Sequence, residues 1–461
     1  MNFLSILSIA AGLASNAITE DQPADAESKT NVILIMADDM GYECLGCNGG
    51  LSYDTPHLDQ MAEQGKRFTQ CHSTPISSPS RVKIMTGMYN YRNYEDFGYL
   101  SPDEKTFGNV MKEAGYATGI VGKWQLNGIG EYPGWQNSDR PKAFGFDEYC
   151  LWQVTQKPVR NEDTVLYERY ANPYIEQNGK ILNGVEDSYG PDIFSDYALD
   201  YMEKNKDQPF FLYYSMVLPH FPFVPTPASD EWEDKEKRYK EDKRYFKDMV
   251  EYTDMLVGKV VQKVKELGIA DNTLILFTAD NGTHRPLVSQ TRRGPVRGGK
   301  AMTIDAGTHV PLIAYWPGHI KSGSVYDGLI DFSDFYPTLA GIAGKNVESD
   351  GKSFLPLLRG DPYKERETVF VHYDPMHSDY INQFRGRFVR TQEYKLYQDG
   401  RFYHIPTDKR EQDPISLRNV SWDSGKIRNP VSMEHVSWEV IQIRRKLQNI
   451  LDQAPEWEED R

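Results

Sequence analysis

Short runs of consecutive apolar residues constrain the fold of this chain more than any other feature of its sequence. An unbroken apolar run of roughly 4–8 residues is typical of a strand buried on both faces of a parallel sheet. Segments with helical periodicity separate these runs, and the longest of them predicts a helix at 235–268. This alternation from residue 31 to residue 345 predicts an α/β fold with a large, mostly parallel sheet between layers of helices. The runs lie at residues 31–36, 116–121, 210–217, 273–277 and 310–316.

The two ends of the chain indicate further parts. Residues 1–17 have the apolar core and small final residues of a secretory signal peptide, although no Lys or Arg precedes the core. Residues 18–30 form a polar, disordered lead-in, and residues 31–350 the α/β domain. Short strand patterns and a closing amphipathic helix predict a smaller C-terminal subdomain with an antiparallel sheet at 365–461. We expect an exported protein, periplasmic or secreted, without a membrane anchor, since no later apolar run reaches roughly 18 residues.

The distribution of charge indicates which partners the protein has. The formal net charge of −15 argues against nucleic acid. One segment reverses this sign, because no acid appears between Asp280 and Asp305. The segment is either a solvated basic loop or part of an anion site, and the neighbouring acids favour the anion site. Its cations are Arg285, Arg292, Arg293, Arg297 and Lys300.

Polar side chains follow several of the predicted strands at the point where each strand ends. Asp38-Asp39 and Asp280-Asn281 come after two of the apolar runs, and Lys123 and His220 follow two others. Because the carboxyl ends of parallel strands meet at one edge of a sheet, these groups are expected to lie together. Adjacent carboxylates repel unless a cation lies between them, and oxygen ligands suit a hard cation such as calcium or magnesium. The alternative is a solvated acidic turn.

The stretch from residue 77 to residue 87 reads S-S-P-S-R-V-K-I-M-T-G. Pro79 suits the first turn of a helix, and Ser77 or Ser78 suits its cap. A helix N-terminus favours an anion, and Arg81 lies one turn further on. The stretch is either an ordinary helix start or a nucleophile placed beside a cation.

With these motifs the chain resembles the type I sulfatases of the alkaline phosphatase superfamily over nearly its whole mature length. The signature C/S-x-P-S-R, followed by Thr-Gly, is matched at residues 77–81 and 86–87. The opening acid pair, the D-N-G, the G-G-K and the Pro-His of the family are matched at residues 31–39, 280–282, 298–300 and 219–220.

The resemblance implies that Ser77 is oxidised to formylglycine (3-oxoalanine). A bare serine would keep sulfate as a stable ester, whereas an aldehyde hydrate has a second hydroxyl that expels it. A serine at this position implies a bacterial, oxygen-independent radical maturation enzyme as partner.

The resemblance also implies roles for the surrounding side chains. Calcium would be held against residue 77 by Asp38, Asp39, Asp280 and Asn281. Sulfate oxygens would be bound by Lys123 and Lys300. Arg81 would fix the formylglycine, and His220 would help to protonate the leaving alcohol.

The chain departs from the family pattern at three positions. Besides serine at 77, Gln125 replaces the histidine of G-K-W-H-L, and a glutamine cannot take up a proton near neutral pH. His284 is a speculative substitute, and Arg285 beside it is a candidate substrate contact. His309 stands where the family usually has arginine.

The preferred interpretation is a sulfatase that acts on a sulfated carbohydrate. Aromatic residues in the 127–190 region either stack on sugar rings or pack in the core. One alternative is a phosphoryl ester hydrolase of the same superfamily, which commonly needs a second metal and further Asp/His ligands. Another is a sulfated-glycan-binding protein whose catalysis is impaired by Gln125.

Four cysteines, Cys44, Cys47, Cys71 and Cys150, permit three disulfide connectivities, among which the sequence does not choose. Zinc at Cys44-x-x-Cys47 is not favoured, because no second ligand pair has metal spacing.

Overall fold

The structure is a computed structural model that describes residues 29–128, 130, 132–155, 159–161, 164–166, 169–415, 421–423, 426–428 and 435–455. The predicted signal peptide and all but the last two residues of the lead-in lie outside the described residues. The strands are β1 (Asn31–Ala37), β2 (Lys66–His72), β3 (Ala117–Lys123), β4 (Glu148–Trp152), β5 (Val159–Asn161), β6 (Thr164–Leu166), β7 (Ile175–Gln177), β8 (Lys180–Ile181), β9 (Phe210–Ser215), β10 (Thr273–Ala279), β11 (Val288–Ser289), β12 (Val296–Arg297), β13 (His309–Tyr315), β14 (Ser324–Asp331), β15 (Val369–Tyr373), β16 (Gly386–Arg390), β17 (Tyr394–Tyr397), β18 (Phe402–His404), β19 (Ser421–Asp423), β20 (Lys426–Arg428) and β21 (His435–Val436). The α-helices are α1 (Pro56–Gln64), α2 (Ser77–Thr86), α3 (Asn90–Asn93), α4 (Phe107–Glu113), α5 (Arg140–Ala143), α6 (Gly190–Asn205), α7 (Tyr245–Glu266), α8 (Asp305–Thr308), α9 (Phe335–Ile342), α10 (Leu355–Arg359), α11 (Asp379–Asn382) and α12 (Trp438–Gln453).

A ten-stranded sheet in the order β14-β2-β13-β10-β1-β9-β3-β4-β7-β8 forms the centre of the molecule. Its five middle strands, from β10 to β4, are all parallel to one another. β13 and β7 pair antiparallel and lie outside this parallel centre. Every residue of β1 and β10 is buried, as expected for strands covered on both faces. The predicted α/β fold is confirmed.

The longest helix is shorter than its sequence pattern predicted. It begins at Tyr245 and not at residue 235, and only a short 3-10 turn, Lys237–Tyr239, precedes it. The reason is the composition of residues 235–244, which are all charged except Tyr239 and all exposed except Arg238. A segment that buries so little apolar surface gains too little from packing to be held as a helix.

The contact between α1 and α7 depends on a carboxylate. Asp254 of α7 is buried and accepts hydrogen bonds from the first free backbone N–H groups of α1, those of His57 at 3.1 Å and Leu58 at 2.7 Å. Gly258, one turn later, permits this approach, because a Cβ there would lie 2.6 Å from the His57 ring. Asp254 therefore replaces a local cap residue for α1.

The C-terminal part contains the small antiparallel sheet that the sequence predicted, in the order β15-β16-β17-β18. α12 covers one face of this sheet, where Leu447 and Leu451 pack against Phe370, Val389 and other strand residues. The other face packs against Ile76 and Ala301, the residues next to Ser77 and Lys300. The subdomain thus forms part of the support for the central site, while the domain limits stay predictions.

A buried ion pair links the small sheet to the α/β part. Lys395 of β17 donates to Glu411 at 2.8 Å, and neither side chain is more than 2% exposed. Glu411 also accepts from the Tyr397 hydroxyl and from the backbone N–H of Asp305. Burial lowers the pKa of Lys395 to about 8, although Glu411 acts in the opposite direction.

The described residues contain neither a disulfide nor a helix that could span a membrane. All four cysteines lie in the described part and are free, so none of the possible disulfides is formed. In the part of the chain that the structure describes, no helix has both the length and the apolar character needed to cross a membrane.

Candidate active site

The carboxyl ends of the parallel strands meet at one edge of the sheet and bring most of the predicted side chains together. Asp38 and Asp39 follow β1, Lys123 ends β3, and Asp280 and Asn281 follow β10. The structure joins these groups to others from loops and from α2 in one buried cluster. The predicted residues in this cluster are Asp38, Asp39, Ser77, Arg81, Lys123, His220, Asp280, Asn281 and Lys300.

Ser77 is the first residue of α2, and Ile76 is its N-cap, so the prediction that Ser77 or Ser78 caps the helix was wrong. The Ser77 hydroxyl is directed away from its own helix. Its oxygen lies 3.2 Å from Asp38 Oδ1 and 3.4 Å from Asn281 Oδ1, and it accepts a hydrogen bond from Lys123 Nζ at 3.1 Å. Ser78 instead accepts from the backbone N–H of Gly98. Residue 77 therefore stands at a helix N-terminus with its oxygen among acids and a cation.

The two adjacent acids have different partners. Both oxygens of Asp38 accept from Lys123 Nζ, at 3.0 and 2.9 Å. Asp39 has a positive φ of 67°, and the resulting turn directs its carboxylate toward Asn281, 2.8 Å away, and Lys300, 2.6 Å away. Its backbone N–H donates to Asp280 Oδ1 at 3.0 Å. The backbone strain at Asp39 is thus accompanied by a complete set of partners for its carboxylate.

The carboxylate of Asp280 is held mainly by Arg81. The Arg81 guanidinium donates from Nε and one terminal nitrogen to Asp280 Oδ2, at 3.2 and 2.9 Å, and its other terminal nitrogen donates to the Ser215 hydroxyl. Arg81 and Asp280 are 2% and 0% exposed. This pair connects α2 to the ends of β9 and β10.

Burial and mutual charge shift several groups of the cluster. Burial raises the pKa of Asp38, but Lys123, His220 and Arg81 outweigh it and hold that pKa well below its usual range. Burial and the neighbouring Asp38 raise the pKa of Asp280 to about 6. Burial lowers the pKa of Lys123 to about 8, against the attraction of Asp38. The carboxylates therefore crowd one another in a nearly dry site.

His220 and Lys300 form a pair at the side of the cluster. Lys300 Nζ donates to His220 Nε2 at 2.9 Å, and His220 Nδ1–H donates to the backbone oxygen of Phe221. Burial lowers the pKa of His220. Although Asp39 acts in the opposite direction, that pKa stays well below its usual range. The imidazole is therefore neutral, with Nε2 as the acceptor.

In the described part of the chain, the side chains of three predicted site residues form no hydrogen bond or ion pair with the cluster. Gln125 has a positive φ of 54° and donates its backbone N–H to the Gln153 carbonyl oxygen at 3.3 Å. The His284 ring stacks on Phe221 with centroids 5.7 Å apart, and burial lowers its pKa. Arg285 lies over the ring of Tyr380, 4.4 Å from its centroid.

The remaining sequence signals lie elsewhere. His309 contacts Asp305 and the Thr69 carbonyl oxygen and stacks on Tyr42, outside the cluster. Of the cations in the predicted basic loop, Lys300 is the one that contacts the described cluster. Arg292, Arg293 and Arg297 lie exposed on the β11–β12 hairpin and the turn that joins its strands.

One cluster residue was missed by sequence reasoning. Arg169 is buried, and a terminal guanidinium nitrogen lies 3.6 Å from Asp38 Oδ2. Its guanidinium lies over the Trp152 ring, 4.0 Å from the centroid. The only sequence signal was its place in the aromatic 127–190 region, where no strand end or motif marks it.

The donor atoms suit a hard divalent cation. Oxygens of Asp38 and Asn281 lie 3.2 and 3.4 Å from the Ser77 oxygen, and an Asp39 oxygen accepts from Asn281 Nδ2 at 2.8 Å. Ligand atoms of Asp38, Asp39 and His220 lie within 4.8 Å of one another. A cation among these oxygens would also relieve the crowding that raises the pKa of Asp280. A donor set rich in carboxylate and amide oxygen fits calcium or magnesium.

Known proteins similar to this chain include sulfatases. A family described as "Sulfatase" matches residues 30–345, and one described as "N-sulphoglucosamine sulphohydrolase, C-terminal" matches residues 299–443. Human arylsulfatase A is 32% identical over 426 residues, covering 85% of this chain and 77% of the relative. The N-acetylgalactosamine-6-O-sulfatase of Bacteroides thetaiotaomicron is 29% identical, covering 74% of this chain and 78% of the relative. The crystal structure of Ps i-CgsB in complex with k-i-k-neocarrahexaose superposes with a TM-score of 0.65 at 27% identity, covering 84% of this chain and 89% of the other.

Proposed function

The chain belongs to the sulfatase family of sulfuric ester hydrolases, and we propose that it removes sulfate from a sulfated glycan, using a formylglycine made from Ser77 and one calcium ion. The observation that carries the proposal is the position of the Ser77 oxygen. It lies at a helix N-terminus within 3.4 Å of Asp38, Lys123 and Asn281. A nucleophile so placed is supported both by a candidate metal site and by a cation for the substrate.

Calcium would be held by Asp38, Asp39, Asp280 and Asn281. When bound, it would acidify a hydroxyl of residue 77 and offset the charge of the sulfate. The hydrate of formylglycine would supply one hydroxyl that attacks sulfur and a second that allows sulfate to leave. Arg81 lies one helical turn after residue 77 and holds Asp280, so it would keep these groups in place.

The charge balance of the cluster favours an anionic substrate. It contains the carboxylates of Asp38, Asp39 and Asp280. Against these stand more cations, namely Arg81, Lys123, Arg169 and Lys300. Counted over these described residues alone, the sum is positive while His220 is neutral, which favours an anion. Lys123 and Lys300 would bind sulfate oxygens through charge-assisted hydrogen bonds.

The leaving alcohol needs a proton, and His220 with Lys300 is placed to provide it. The Lys300 ammonium group already donates to His220 Nε2 at 2.9 Å, so one proton is shared between the two side chains. In the proposed complex one of them donates it to the bridging oxygen. Lys300 is 14% exposed and His220 17%, whereas Lys123 is 2% exposed, which places this pair on the open side.

The substrate class rests on the relatives and on the surroundings of the site. The relatives include a protein named for removal of sulfate from an amino sugar, and a solved structure holds a carbohydrate. His284 and Arg285 precede Lys300 in the same basic loop, and Arg285 lies over Tyr380, which is 63% exposed. We propose that these residues contact the sugar. A radical maturation enzyme and export are parts of the same proposal.

A one-metal sulfatase is preferred over a two-metal phosphoryl hydrolase. In the part of the chain that the structure describes, Asp38, Asp39 and His220 form one group of possible metal ligands, and no second group is found. Asp280 is followed by Asn281, where a two-metal site would use a histidine.

Two measurements test the proposal. The full chain is produced with and without a radical maturation enzyme, and the tryptic peptide of residues 68–81 is weighed by mass spectrometry. We expect a loss of two hydrogen atoms at Ser77 in the first preparation, and none in a Ser77→Ala control. The modified protein is then assayed with the sulfate and the phosphate ester of the same phenol.

The expected result is calcium-dependent release of sulfate that exceeds release of phosphate. A peptide that carries only serine after production with the maturation enzyme contradicts the formylglycine mechanism. Much faster hydrolysis of the phosphate ester by the modified protein would support the phosphoryl hydrolase instead.

A further inference from the structure

We propose that Arg169 is a sulfate-binding residue of this site and supplies the positive charge that Gln125 cannot. The inference rests on the proposed function and extends it to a residue that no family motif marks. Its basis is the position of the guanidinium, its rigid support and the chemistry of its neighbours.

Arg169 shares one carboxylate oxygen with a residue already placed in the site. Asp38 Oδ2 lies 2.9 Å from Lys123 Nζ and 3.6 Å from a guanidinium nitrogen of Arg169. The Arg169 side chain is 3% exposed, close to the 2% of Lys123. Arg81 also lies 3.7 Å from Asp38. Arg169 thus stands with Lys123 and Arg81 around the carboxylate of Asp38, whose Oδ1 lies 3.2 Å from the Ser77 oxygen. A tetrahedral oxyanion bound at Ser77 would lie among these cations.

The guanidinium and the backbone of Arg169 are both held in place. It lies over the Trp152 ring at 4.0 Å from the centroid, which fixes its plane. Tyr170, the next residue, donates from its hydroxyl to the Val217 carbonyl oxygen at 2.9 Å. Gly190, the first residue of α6, packs so closely that a Cβ there would lie 2.1 Å from the Arg169 carbonyl oxygen. A cation fixed before the substrate arrives loses little entropy when it binds an anion.

The position of Arg169 relates it to Gln125. Trp152 ends β4, the parallel neighbour of β3, which ends in Lys123. Beyond these ends Gln125 donates its backbone N–H to Gln153, whose side chain is buried and whose Oε1 accepts no hydrogen bond. The resemblance places a histidine at residue 125 on this side of the site. This chain has two neutral amides there, and the permanently charged guanidinium of Arg169 lies over Trp152, the residue before Gln153.

The expected chemistry is binding and not proton transfer. A guanidinium keeps its proton at any physiological pH, so Arg169 cannot serve as the base that a histidine would provide. It can donate two parallel hydrogen bonds to sulfate oxygens, which the ammonium group of Lys123 cannot.

Binding of inorganic sulfate to the full chain with Ser77 unmodified tests the inference without turnover. Calorimetric titration in calcium and at constant ionic strength should show a sulfate affinity roughly 10- to 100-fold lower for Arg169→Ala than for the wild type. Arg169→Lys keeps the charge but loses the paired N–H donors and the stacking on Trp152. Its sulfate affinity should lie between those of Arg169→Ala and the wild type.

Arg238→Ala is the matched control. Arg238 also lies over a tryptophan, 4.2 Å from the Trp232 centroid, and a carboxylate oxygen of Asp187 is 3.8 Å away, but neither partner belongs to the cluster. The sulfate affinity of Arg238→Ala should equal that of the wild type. Circular dichroism verifies folding, and Arg169→Gln is used if the alanine variant does not fold.

Calcium affinity separates sulfate binding from a structural role. If Arg169 only positioned Asp38, calcium and sulfate affinity would fall together, and that result overturns the proposal. Unchanged sulfate affinity in Arg169→Ala, or a wild type that binds no sulfate, also overturns it. If the modified wild type cleaves no sulfate ester while the unmodified protein still loses sulfate affinity in Arg169→Ala, the proposed function fails and the anion site stands.

Discussion

Replacing Arg81 with methionine removes a buried cation and leaves its carboxylate partner in place. In the wild type, Arg81 donates two hydrogen bonds to Asp280 Oδ2, at 3.2 and 2.9 Å. The other oxygen of Asp280 accepts from the backbone N–H of Asp39 at 3.0 Å. Methionine fills a similar volume, so the main change is the loss of the partner charge.

The size of the effect follows from the burial of the pair. Removing one partner of a buried ion pair costs about 3–5 kcal/mol. Asp280 can escape part of this cost by taking up a proton, because burial and Asp38 already raise its pKa to about 6. At neutral pH that protonation costs only about 1.4 kcal/mol. We therefore expect Arg81→Met to lower the free energy of unfolding by about 3 kcal/mol in the absence of metal.

Guanidinium chloride unfolding, followed by tryptophan fluorescence in EDTA and again in calcium, measures this change. If Asp280 is a calcium ligand, bound calcium replaces the lost positive charge and the deficit of Arg81→Met becomes smaller. Arg244→Met, which removes an exposed partner of Glu231, serves as the control and should unfold like the wild type. An Arg81→Met protein as stable as the wild type in EDTA would refute the reasoning, because Asp280 would then be compensated by other groups.

Two other buried charges lead to further predictions. Burial raises the pKa of Asp254 to about 6, so its carboxylate lowers wild-type stability as the pH rises through that value. Between pH ~4 and pH ~7 the free energy of unfolding of Asp254→Asn should therefore rise by about 3 kcal/mol relative to that of the wild type. Urea unfolding at each pH measures this change. A stability difference between Asp254→Asn and the wild type that does not change with pH would contradict the raised pKa of Asp254. Glu411→Gln leaves Lys395 buried without its partner charge and should cost about 3–5 kcal/mol, whereas the double variant with Lys395→Met should unfold close to the wild type. Equal losses in both variants would show that the pair itself is not the cause.

Much of the site was predictable because most of its residues lie at strand ends or in short sequence motifs. A buried strand in a parallel sheet reads as an apolar run, and the first polar residues after it must lie at the edge of the sheet. Asp38 and Asp280 were therefore assigned to one site although a long stretch of chain separates them. Ser77 was assigned to a helix N-terminus from the helix signals at Pro79, but the cap assignment failed because its hydroxyl bonds to the cluster.

Other features depended on contacts between distant segments. The start of α7 at Tyr245 was missed because helical pattern continues through charged residues that bury almost no surface. Arg285 was expected at the anion site, but its nearest ring contact is Tyr380, contributed by the C-terminal part. Neither outcome follows from spacing along the chain, since each depends on which surface the segment meets.

The sequence by itself determined the α/β fold, the edge of the sheet where the site lies, and the acids, lysines and serine that meet there. The fold, the edge and the residues at strand ends follow from hydrophobic periodicity and chain connectivity. The roles of Ser77 and Lys300 follow from the family motifs that contain them. Only the tertiary structure decided the direction of the Ser77 hydroxyl, the pairing of Lys300 with His220, and the place of Arg169 beside Asp38. Such contacts depend on side-chain direction and on the packing of segments far apart in sequence, which a linear pattern does not encode.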